Sequence, residues 1–185
     1  MNRLSSPMRQ FIQLLLSFRR DTRGVSAVEF ALLAPFMIAL YLGSVQLTLG
    51  LTADRKVSQV ANSVADLVTQ DDFITDADLI DIYAAADAIL NPFDTAPLSL
   101  RITSIRMDAD EEIFVDWSDG EGMTPLDTDS LPELPDGLLA PMNSIIMVEA
   151  DYVFSTNLGE LTRTPITLSD TAYLRPRRGP WVRRG

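Results

Sequence analysis

Gly24 and Glu29 stand five residues apart where basic sequence gives way to apolar sequence, and Phe30 follows directly. This is the one place in the chain where residue types and spacing suggest a defined chemistry. Glycine suits a cleavage point, because its backbone enters a protease site without side-chain obstruction. A cut after Gly24 would leave a new amine on Val25. A carboxylate at the edge of a membrane helix is costly unless it is paired or used. In a bundle of such chains, Glu29 of one copy could neutralise the Val25 amine of another, relieving both charges. The plainer reading is that Glu29 reaches interfacial water. A pair within one helix also competes, since the amine would lie close to its own Glu29.

Other chemistry is thin. The chain has no histidine and no cysteine, so the commonest general base, the commonest metal ligand and thiol chemistry are all absent. Serines, threonines and carboxylates are plentiful, but no nucleophile–base pair stands out, and an enzyme is not expected. No cofactor is expected. The acidic clusters Asp71-Asp72, Asp108 to Glu112 and Asp116 to Glu121 invite a calcium reading. None matches the calcium-loop pattern, so they read as solvated turns and no metal site is assigned.

The elements that must position Gly24 and Glu29 follow from charge and hydropathy. Residues 1–24 carry Arg3, Arg9, Arg19, Arg20 and Arg23 against Asp21. The 24 residues Phe30 to Ala53 carry no charge, and Gln46 is the only strongly polar one. About 20 such residues suffice to cross a bilayer core as a helix. A secretory signal would have an apolar region of only about 7–15 residues. A long buried core helix is the other rival, and all-round apolarity disfavours it. Arginines before the run predict a cytoplasmic N-terminus and an outer C-terminal domain. All acids except Asp21 and Glu29 fall in residues 54–174, against Arg55, Lys56, Arg101, Arg106 and Arg163. That balance disfavours nucleic acid as a partner.

Beyond the apolar run, Val57, Val60, Ala61, Val64, Ala65 and Val68 recur at helical spacing. One helix is predicted from about Val25 to Gln70, with its second half laying an apolar stripe on the outer domain. Pro35 lies inside it, where membrane helices tolerate proline. A second helix is predicted over Asp76 to Leu90, capped by Thr75 and ended by Asn91-Pro92. The period then changes to two. Leu98 to Met107 reads as a strand with a bulge near Thr103-Ser104, because Ile105 and Met107 fall out of phase. Ile113 to Trp117 reads as a strand ended by a turn at Asp119 to Gly122. Residues 123–142 read as a long loop, Ile146 to Phe154 as a half-buried strand, and Ile166 to Leu174 as the last strand.

The fold class expected is α+β and pilin-like: a long N-terminal transmembrane helix continuing into a small domain with a short helix and an antiparallel sheet of about four strands. The organisation is a basic cytoplasmic leader (1–24), a transmembrane helix (25–53), an acidic extracytoplasmic domain (54–174) and a basic tail (175–185). The tail, with Trp181, either binds an acidic neighbour or lipid headgroups, or is a solvated end.

The stretch Gly24-Val25-Ser26-Ala27-Val28-Glu29-Phe30 resembles the processing motif of Flp-class type IVb pilins and their pseudopilins. The longer pattern, with Ala31, Pro35 and Gly43, resembles the TadE-like proteins of the tight-adherence system, over about residues 20–50. Asp54 to Val57 and Tyr173 to Arg177 are similar to TadE-like relatives more loosely. Gln46 departs from the pattern, which often has a second acid there. The resemblance implies a minor pseudopilin in the bacterial inner membrane, processed between Gly24 and Val25 by a prepilin peptidase. Glu29 and Phe30 would serve assembly and recognition, and the partners would be the membrane and other pilin and pseudopilin subunits. The alternative is an uncleaved bitopic membrane protein whose outer domain binds or senses a ligand.

Overall fold

The computed structural model describes residues 24–130, 132, 134–135, 137–155 and 165–185. The leader expected over 1–24 lies outside them except for Gly24. The chain divides into two compact units, Met1–Val45 and Gln46–Gly185. Helix α1 spans Val25–Thr69, 45 residues with Pro35 inside, and so has residues in both units. In the first unit it presents Val28, Phe30, Leu32, Leu33 and Phe36 as exposed side chains in nearly consecutive positions. Exposed apolar residues on every side of a helix fit lipid and not water. The helix is long and apolar enough to cross a membrane.

The second unit is an α+β domain. After α1 come β1 (Phe73–Ile74), α2 (Asp76–Leu90), β2 (Leu98–Met107), β3 (Ile113–Glu121), β4 (Ser144–Phe154), β5 (Ile166–Leu174) and β6 (Arg183–Arg184). Four strands form one antiparallel sheet in the order β3-β2-β4-β5. The stripe Val57, Val60, Ala61, Val64, Ala65 and Val68 on α1 is wholly buried. It packs with Leu79, Ala86 and Leu90 of α2 and with Leu100, Ile102, Ile146, Val148 and Ala150 of the sheet. Valine and alanine suit this seam, because small side chains let a helix approach a sheet closely. Lys56 donates from Nζ to the Ile89 carbonyl, 2.8 Å away, and so satisfies a carbonyl at the C-terminal end of α2.

Three sequence expectations need correction. The first is the bulge in β2. Strand β2 stays in unbroken register with β4 from Leu98↔Tyr152 to Arg106↔Ser144. The irregularity is in its pairing with β3, where Ser104 faces Trp117 but Ile105 faces Val115, so Asp116 is the extra residue. Ile105 looked out of phase because the sheet has a second apolar face. There Ile105, Ile145 and Met147 form a separate core, covered by Leu126, Leu134, Leu138 and Leu139. The long loop is therefore a lid over that face. For the same reason β4 is half-buried only in part: burial alternates as expected from Val148 to Phe154, but Ser144 to Met147 are buried on both faces. The third correction concerns Asp119 to Glu121, which continue β3. The chain bends at Gly122, whose φ of 74° is left-handed. A Cβ on Gly120 would lie 2.3 Å from the Met123 carbonyl oxygen, so only glycine admits that close return.

Helix α2 begins as predicted. The Thr75 side chain accepts from the Asp78 amide, and the Asp78 carboxylate accepts from the Thr75 amide at 2.8 Å and from its hydroxyl at 2.7 Å. This reciprocal cap holds the Asp78 carboxyl below its ordinary range, the Thr75 side-chain hydrogen bond being the larger cause. A depressed folded-state pKa means the carboxylate stabilises the fold above the unfolded pKa. That contribution is lost as pH falls through the folded pKa. Asp78→Asn should therefore be less stable than the parent at neutral pH. The gap should close as the solution is acidified below the usual aspartate range, in urea titrations at a series of pH values.

Candidate processing and assembly site

Gly24 sits directly before α1, and Val25 is the first residue of the helix. Val25 is 51% exposed and Phe30 is 72% exposed. Glu29 lies one turn beyond Val25 and is also exposed. Residues four apart share a helix face, so Val25 and Glu29 are stacked along one side. Among the described residues no lysine or arginine pairs with Glu29. Nothing described comes within 4 Å of where a Cβ on Gly24 would stand, and its φ is not left-handed. Among the described residues neither packing nor backbone conformation requires a glycine at this position. At Gly43, inside the helix, a Cβ would likewise meet nothing described within 4 Å apart from the helix's own nearby backbone. Glycine costs about 1 kcal/mol relative to alanine in a helix interior, and no contact of this chain offsets it there.

The acidic clusters are spent on the fold. The Asp108 carboxylate accepts from the amides of Asp110 and Glu112, both at 2.9 Å, and closes the β2–β3 turn. Asp116 pairs with Arg106 at 3.1 Å. The Arg106 guanidinium in turn stacks 4.1 Å over the Trp181 ring. Asp119 accepts from the Tyr83 hydroxyl at 2.9 Å, and burial together with this bond raises the Tyr83 pKa. Among the described residues no group of three or more carboxylates is placed to hold a metal ion.

The C-terminal tail is the part of the domain that sequence reasoning missed. It is not a free solvated end, because it is hydrogen-bonded, ion-paired and at Val182 buried against the domain, although most of its arginines stay exposed. The Arg177 amide donates to the Thr69 carbonyl at 3.0 Å, satisfying an acceptor at the end of α1. Strand β6 pairs in parallel with β1, Phe73↔Arg183 and Ile74↔Arg184. Val182 is 0% exposed, and its carbonyl accepts from the Trp117 indole at 2.7 Å. Four arginines find acids of the same domain: Arg177 with Asp66, Arg178 with Asp71, Arg183 with Asp72, and Arg184 with both Asp76 and Asp119. A signal existed in the sequence. The acids at 66, 71, 72 and 76 form one run, and the arginines at 177, 178, 183 and 184 form its complement.

Among the described residues one apolar helix opens a small α+β domain, with an exposed glycine–glutamate border at its start, an arrangement compatible with a single-pass membrane protein. Residues 24–66 match the family model described as TadE-like protein, so this segment, from the border through most of α1, is TadE-like. No curated protein matches the chain, and no solved structure does.

The packing of the tail sets an ordering of effects. Val182→Ala removes two buried methyl groups and should cost about 2 kcal/mol. Arg178→Gln and Arg183→Gln break exposed pairs and should each cost under about 1 kcal/mol. Denaturant unfolding of the purified chain in detergent measures all three. A silent Val182→Ala would mean the tail is not part of the cooperative fold.

Proposed function

We propose that this chain is a minor pseudopilin of a tight-adherence, Flp-type pilus system. In this reading a prepilin peptidase cuts between Gly24 and Val25. The mature chain stays in the bacterial inner membrane through α1, with its domain on the periplasmic side, and takes a structural part in pilus assembly. The observation that carries the reading is a glycine that no described contact or backbone angle requires, placed at the border of a TadE-like segment. A peptidase that reads the border would supply a reason for it. The acidic domain, with no histidine or cysteine, supports a structural role over a catalytic one. Glu29 and Phe30 extend the border into the helix. Both are exposed there, as contacts with a peptidase or with neighbouring subunits require.

Cleavage has a direct readout. Protein from native membranes of cells with an active prepilin peptidase should begin at Val25 in N-terminal sequencing. Gly24→Leu should insert normally but keep its leader. Recovery of intact Met1 from the unaltered chain would leave the bitopic binding or sensing protein as the better reading.

The role of Glu29 is separable from cutting. Glu29→Gln keeps size and hydrogen bonding and removes the charge. The variant should be processed, inserted and protease-resistant like the parent, because the core that folds the domain begins at Ala53, far along the helix. It should fail to support pili or to co-purify with other pilus subunits. Normal pili at normal protein levels would reduce Glu29 to an interfacial residue.

A further inference from the structure

The sheet has two edges, and they differ. Strand β3 is broken by the extra residue Asp116, which twists an edge away from pairing. Strand β5 runs nine residues, Ile166–Leu174, in unbroken register with β4. It contains no proline, lysine or arginine. Among the described residues no strand pairs with its outer side. Ile166 at its start is 59% exposed. Beside its other end, Leu174, an open groove of about 610 Å³ is walled by Ile89 and by Gln59, Asn62, Ser63, Asp66 and Leu67 of α1, with more apolar than polar surface. A regular open edge flanked by a groove has the form used to receive an added strand.

Asp170 decides what kind of strand fits. It lies opposite Ala150 and shares the core-facing side of β5 with Leu168 and Ala172. One of its oxygens accepts from the Thr171 amide at 2.8 Å. Among the described residues no lysine or arginine pairs with it. Full-length antiparallel pairing of two copies of β5 would set Asp170 opposite Asp170, and like charges directly opposite are destabilising. The carboxylate therefore guards the edge against self-pairing and leaves it open to a strand of opposite charge.

We propose that the outer edge of β5 is a docking edge for an extended segment of another protein. That segment adds as a fifth strand and carries a lysine or arginine opposite Asp170. Its backbone pairs with β5, its basic side chain meets Asp170, and polar side chains toward the Leu174 end meet Gln59 and Asn62. The inference stands on the geometry of the second unit and does not require the pilus reading.

The test uses the full chain in detergent and two nine-residue peptides that alternate threonine and valine, one with lysine and one with glutamate at the centre. Amide hydrogen exchange is followed at residues 166–174. With the lysine peptide near ten times its Kd, exchange there should slow by about tenfold. The glutamate peptide should leave it unchanged. Asp170→Lys should reverse the preference, and Asp170→Asn should abolish it. Absence of protection by either peptide would overturn the proposal, as would equal protection by both or protection confined to other strands. Protection of β5 without any peptide, rising with protein concentration, would assign the edge to a second copy and overturn it equally.

Discussion

The seam between α1 and the sheet is the constraint on which the domain depends. From Ala53 to Thr69 the helix buries a stripe of valines and alanines with no exposed surface at most positions. Almost every other feature of the second unit answers to this stripe. Helix α2 closes one flank, the even-numbered residues of β2 and β4 close the front, and the tail covers the end, where the Arg177 amide satisfies the Thr69 carbonyl. The same helix has the opposite composition before the stripe, with apolar side chains exposed on all sides. One helix thus carries two side-chain patterns, its backbone ladder lacking the bond that Pro35 cannot donate.

The acidity of the domain has a structural use. A net charge of -11 would repel itself if spread evenly. Part of it is concentrated where α1, β1 and α2 meet, and the tail brings four arginines to that place. Each exposed pair contributes little alone. The buried Val182 and the indole bond from Trp117 fix the tail, and the ion pairs set its path. Elsewhere Arg101 pairs with Glu149 across β2 and β4 in a two-pronged contact, 2.6 and 2.7 Å. That contact holds the register of the two central strands, since a one-residue slip would separate the charges.

The glycine–glutamate border stands apart from this network. Neither residue contributes to the core of the domain, so the domain's stability and the chemistry at the start of α1 can vary independently. Such separation is what the processing and assembly proposed for this border would require.

Much of this was determined by the sequence alone. Helix α1 ends at Thr69, within a residue of the limit set by its periodicity, and α2 has the predicted bounds Asp76–Leu90 with the predicted Thr75 cap. These features rest on interactions reaching a turn or less, so hydropathy period, a capping side chain and a proline suffice to read them. The Gly24–Phe30 border was legible for the same reason. What tertiary structure decided were the contacts between distant segments. The 123–142 loop shows no period of its own, yet Leu126, Leu134, Leu138 and Leu139 cover a second sheet face, which is why Ile105 fell out of phase, while the irregularity beside Ser104 lies in the pairing with β3. Arg177 and Asp66 are 111 residues apart, and the sequence shows two runs of opposite charge but not that they meet. Strand β6 is two residues long, too short for a pattern, and exists because Val182 is buried beside it. Burial supplied by another part of the chain leaves no periodic trace in the segment that receives it, and only the folded molecule reveals it.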